Sequence, residues 1–144
     1  MSTRSTTLII DRSHAENNEL GFAIDPQELI DNSYINMYIH YDGYLEGMGC
    51  SLANWILDGG GDYYSDPSKM TAKLVNDFYK NRSQYLYPTR PEEIDCNFTY
   101  VIWIGKEDLW ISCYDNYKNV CVFVGTPSDM IAKYETNQFP IRKA

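Results

Sequence analysis

Phe98-Thr99-Tyr100-Val101-Ile102-Trp103-Ile104, Leu109-Trp110-Ile111-Ser112-Cys113-Tyr114 and Val120-Cys121-Val122-Phe123-Val124 follow one another closely in the last third of the chain. All three runs are dense in β-branched and aromatic residues, which suit a pleated, half-buried surface. Between them stand Gly105-Lys106-Glu107-Asp108 and Asp115-Asn116-Tyr117-Lys118-Asn119, turn compositions of hairpin length. The stretch predicts a β-meander. Alternation along a strand sends Tyr100 and Trp103 to opposite faces, so Tyr100, Trp103, Trp110, Tyr114 and Tyr117 cannot all point inward, and one sheet face is expected to be an aromatic surface. Such a face anchors protein interfaces or stacks nucleobases, which makes Trp103 and Trp110 candidate partner-binding residues. Core and boundary packing is the plainer fate of each ring.

Downstream, Thr126-Pro127-Ser128-Asp129 caps a last helix with the apolar stripe Met130, Ile131 and Tyr134, and the tail from Gln138 is expected to be loose. Upstream, two prolines between Tyr85 and Pro91 predict an extended surface connector. Before it, Ser65 or Asp66 caps a helix whose stripe is Met70, Leu74, Val75, Phe78 and Tyr79, with Lys69, Lys73, Asp77 and Lys80 solvated. Leu52, Trp55 and Ile56 mark another helix that stops at Asp58-Gly59-Gly60-Gly61. Tyr34 to Tyr41 alternates as a strand, with Ile35, Met37 and Ile39 on one face and Tyr34, Asn36, Tyr38 and His40 on the other. Asp25-Pro26-Gln27-Glu28 opens a short helix to about Asp31, Ser13 to Gly21 reads as an exposed loop, and Ser5 to Asp11 reads as the first strand. Together these elements predict an α+β fold: a single antiparallel sheet of about five strands, with three to four helices packed mainly on one face.

The chain has 144 residues, enough for one core that buries roughly 68–70% of the unfolded surface, and no repeat or composition shift divides it, so residues 1–144 read as a single domain. A hydrophobic content of 44% with 22% charged residues is that of a globular chain. The formal net charge of −8 argues against direct nucleic-acid binding, which needs cations on phosphates, and suits an acidic face aimed at a basic partner. Neither a signal-peptide core nor an apolar run of membrane-crossing length is present, so export and membrane insertion are not expected. Cys50, Cys96, Cys113 and Cys121 form no C-x-x-C pair and read as free thiols of a reducing compartment, although Cys113 and Cys121 flank a hairpin turn.

His40-Tyr41-Asp42-Gly43-Tyr44-Leu45-Glu46-Gly47-Met48-Gly49 is the densest polar and aromatic segment, set between a strand and a helix where scaffolds commonly present functional groups. If the strand persists, His40 and Asp42 share a face and form a usable base or metal pair. The glycines lead to a helix N-terminus, whose amides favour an anion. Beside this stands a structural reading, since Asp-Gly and Gly-x-Gly are common turn chemistry and the third glycine of a dinucleotide fingerprint is missing. His14 with Asp11, Glu16 and Glu19 could hold a metal, but solvated loop charges are far commoner, and no cofactor or metal is expected. Arg4 could face Asp42 or a ligand phosphate, or simply form an ion pair.

Ser2-Thr3-Arg4-Ser5, followed by Tyr38-Ile39-His40-Tyr41-Asp42-Gly43-Tyr44-Leu45-Glu46-Gly47-Met48-Gly49, resembles the pattern of small tailed-bacteriophage proteins that open Ser/Thr-Thr-Arg-Ser and carry a His-aromatic-Asp-Gly-Tyr-Pro-Glu-Gly-x-Gly segment. Leu45 replaces the usual proline, and the insert between Arg12 and Ser33 is longer. The resemblance implies a phage accessory protein acting in the host cytoplasm, without implying a mechanism. Three readings follow. The first is an inhibitor of a host protein, such as a nucleic-acid-binding one of a defence system as for an anti-CRISPR, that uses an acidic and aromatic surface. The second is a sponge for a nucleotide signal built on Arg4, His40, Asp42, Tyr44, Glu46, Gly47 and Gly49. The third is a small phosphoesterase with His40 as base and Asp42 orienting it. A homo-oligomer is compatible with each.

Overall fold

The computed structural model describes residues 3–15, 26–79, 84–86, 96–105 and 108–135. Its strands are β1 (Ser5–Asp11), β2 (Ser33–Ile39), β3 (Gln84–Leu86), β4 (Phe98–Ile104), β5 (Leu109–Asp115) and β6 (Val120–Gly125). The helices are α1 (Pro26–Asp31), α2 (Cys50–Leu57), α3 (Pro67–Phe78) and α4 (Pro127–Tyr134). The fold is α+β, as the sequence predicts. All six strands join one sheet in the order β3-β2-β1-β4-β5-β6.

The sheet is mostly antiparallel, and the meander β4-β5-β6 is present. One pairing departs from the expectation. β1 lies parallel to β4, in register from Ser5 opposite Phe98 to Asp11 opposite Ile104. A parallel neighbour needs a long crossover, here the chain from β2 through α3, and strand composition says nothing of such order. Position explains the composition of β1: Leu8, Ile9 and Ile10 are all fully buried because a central strand covered on both faces has no polar side. Part of the proline-rich connector, Gln84–Leu86, adds a short edge strand to β2 where only an extended connector was expected.

The helical face of the sheet carries Ile9, Met37, Ile39, Tyr100, Ile102, Ile111 and Cys113. Onto it α2 packs Leu52, Ala53 and Ile56, α3 packs Met70 and Leu74, and α4 packs Met130. Phe123 and Tyr134 meet edge to face at 5.9 Å. Caps fix the helix starts. Asp66 accepts from the Lys69 amide, and Thr126 and Asp129 form a reciprocal capping box. The stripe of α3 ends at Phe78, since Tyr79 is 77% exposed rather than packed.

On the second face α1 lays Leu29 and Ile30 over Leu8, Ile10, Val101, Trp103 and Tyr114. Both faces of the central strands are therefore interior, and the expected aromatic surface is absent from them. Alternation instead divides the rings between two cores: Tyr100 belongs to the helical side and Trp103 to the other. Cys113 and Cys121 likewise fall on opposite sides, because Cys113 faces Phe123 while Tyr114 faces Cys121, and all four thiols are free. No helix among the described residues is long and apolar enough to cross a membrane. The ring of His14, together with Glu16, Glu19, Lys80 and the tail from Gln138, lies outside the described residues.

Candidate functional site

β2 ends at Ile39 opposite Ser5, so His40 and Arg4 stand just beyond the same end of two neighbouring strands. The chain is then held down by backbone. The Gly43 amide donates to the Thr3 carbonyl at 2.9 Å, and Tyr100, reaching up from β4, donates its hydroxyl to the Gly43 carbonyl at 2.7 Å. A Cβ on Gly43 would stand 2.9 Å from backbone atoms of Thr3 and Arg4, so no larger residue allows this approach. Arg4 is anchored through its own backbone, its amide donating to Asn97 Oδ1 at 3.0 Å and its carbonyl accepting from the Asn97 amide at 2.9 Å.

Leu45–Gly49 is not a loop but a π-helical turn that runs on into α2. Tyr44 and Asp42 supply its carbonyl acceptors: Gly47 donates to Tyr44 at 3.0 Å, Met48 to Asp42 at 2.8 Å and Gly49 to Tyr44 at 3.5 Å. A Cβ on Gly47 would lie 2.5 Å from the Asp42 carbonyl oxygen, which requires glycine there. The Gly47, Met48 and Gly49 amides, at the helix start where the sequence allows an anion site, are thus engaged within the segment itself. Gly49 lies buried beside Met130 of α4.

The side chains of His40 and Asp42 do not form the pair that a persisting strand would allow. β2 ends at Ile39 and Asp42 takes φ of 59°, outside the extended region, so strand alternation does not carry from His40 to Asp42. Asp42 Oδ1 accepts from the Tyr44 hydroxyl at 3.2 Å, whereas His40 Nδ1 shares a hydrogen bond of 2.7 Å with the Tyr38 hydroxyl and meets the Tyr41 ring edge-on at 4.7 Å. Tyr41, Asp42 and Glu46 are exposed, and His40 and Tyr44 are half-buried. Beneath them Cys50 opens α2. Burial, with Glu135 and Glu46 nearby, pushes its thiol up to about 11. A nucleophilic thiol at a helix start is shifted the other way, and Cys50 lies buried among core residues.

The two tryptophans do not belong to this site. Trp103 is 1% exposed and donates its indole N–H to Ser112 Oγ at 2.6 Å, which corrects its assignment as a partner-binding residue. Trp110 is half-buried and sits at the other end of β5, where its indole donates to Asp108 at 2.8 Å and the Arg12 guanidinium lies 5.3 Å over its ring. Tyr100, Thr3 and Asn97, which hold the segment in place, carry no local sequence signal, since their partners are distant in the chain. Among the described residues no group of three or more His, Cys, Asp or Glu is placed to hold a metal ion. Comparison with family models, curated proteins and solved structures finds no match to this chain.

Proposed function

We propose that this is a non-enzymatic accessory protein of phage infection that binds and inhibits a basic host protein, of the kind that itself holds nucleic acid, through the outer surface of its helical layer. The observation that carries the reading is the charge of that layer. Glu46, Asp58, Asp62, Asp66, Asp129 and Glu135 are all exposed on it. The described cations on its helices are Lys69, Lys73 and Lys133, and Lys73 is already paired with Asp77 at 3.0 Å. In a chain of net charge −8, such a surface attracts and orients a basic partner and competes with phosphates for its groove. The exposed Tyr79, at the end of α3, supplies an aromatic anchor in place of the buried Trp103. The phage source rests on the Thr3-Arg4-Ser5 and His40 to Gly49 resemblance.

Affinity capture from host lysate identifies the partner, and titration of the purified complex between about 50 and 300 mM salt then tests the mechanism. Affinity is expected to fall about tenfold over that range and to fall again on charge reversal of Asp58 and Asp62. A complex indifferent to both changes, or no specific host partner, overturns the reading. His40→Ala serves as the control, and loss of a phosphoesterase activity in that variant at unchanged melting temperature would instead favour an enzyme.

A further inference from the structure

β6 is the last strand on its side of the sheet, and among the described residues nothing pairs with its outer edge. Its six residues carry no charge and no proline, and Val120 and Val124 are 46% and 42% exposed. Natural edges of this kind are blunted by a lysine, a proline or a bulge. Here only a bulge is present: Cys113 faces Phe123 and Tyr114 faces Cys121, which leaves Val122 as the extra residue. The bulge twists the edge and shortens any ladder a neighbour could add, but leaves the edge uncharged. From Asn116 through Ser128 the chain has no carboxylate and one cation, Lys118, against a net charge of −8 overall. A second acidic copy, repelled elsewhere, meets least repulsion along this stretch.

We propose that β6 is a self-association edge, at which two copies of this chain pair antiparallel about a two-fold axis and join their sheets. Antiparallel pairing of a strand with itself is self-complementary, so one patch serves both partners. It also brings Lys118, exposed just before β6 in one copy, towards Asp129, exposed just after β6 in the other, and does so twice. Pairing consumes the edge. Among the described residues the opposite edge, β3, is three residues long, too short a ladder to extend the assembly, so it closes at a dimer.

Sedimentation equilibrium of the full chain at physiological ionic strength tests this. A monomer–dimer equilibrium is expected. Val124→Lys should raise the dimer Kd about tenfold or more, and Lys118→Glu about threefold, because each places charge on the edge or repels Asp129. Both side chains are exposed, so unchanged melting of the dilute variants shows that the fold is intact. A wild-type chain that stays monomeric at about 100 μM, or a dimer that neither substitution weakens, overturns the proposal.

Discussion

A single backbone angle decides the chemistry available at the candidate site. Asp42 holds φ of 59°, a conformation that glycine adopts freely and that a β-carbon makes costly. Asp42→Ala is therefore expected to destabilise the protein by about 1 kcal/mol, while Asp42→Gly leaves it unchanged or slightly more stable. Thermal melting of the two variants separates backbone from side chain. If Asp42→Gly loses as much as Asp42→Ala, the Tyr44 hydrogen bond and not the backbone is the important feature. Asp42-Gly43 is legible in the sequence as a break in the strand. The sign of φ is not, nor is the end of β2 at Ile39, and with the strand ended His40 and Asp42 take separate partners, Tyr38 and Tyr44.

Elements form where their own residues dictate, and they assemble where distant residues allow. Caps at Asp66 and Thr126, the alternation of Ile35, Met37 and Ile39, and the turn residues of the meander are local signals, and the strands and helices they predict are present. The parallel neighbour of β1 and the short β3 depend on partners far along the chain and leave no such trace. The π turn is similarly hidden, because it arises where Tyr100 and Thr3 pin Gly43 and the helix must start from that fixed point. Tyr100→Phe removes one of those pins and leaves a buried carbonyl short of a donor, at a cost of roughly 1–3 kcal/mol. Hydrogen exchange should show the amides of Gly47 and Met48 losing protection more than those of β4. Equal loss in both would mean that Tyr100 supports the core and not the turn.

At the scale of the whole molecule, several buried protons tie stability to alkaline pH. Burial raises the Cys50 thiol from 9.0 to about 11 and the Tyr114 phenol from 10.0 to about 12, and it also pushes up Cys113 and Tyr100. The folded chain then holds protons that the unfolded chain has released, so stability is full below pH 9 and declines as pH rises from 9 through 11. Melting temperature should fall over that window, less steeply in Cys50→Ala, and a flat profile would contradict the burial of these groups. The parallel pairing of β1 with β4 has a consequence during synthesis. About 60 residues separate the end of β2 from the start of β4, so at ribosomal speeds the outer edge of β1 waits roughly 3 to 12 s for β4, even though β3 can already pair with β2. Throughout that interval Leu8, Ile9 and Ile10 lie along an open edge on the nascent chain. Slower translation of the intervening helices lengthens the wait, which makes elongation rate and early chaperone capture determinants of how much of this protein reaches its native state.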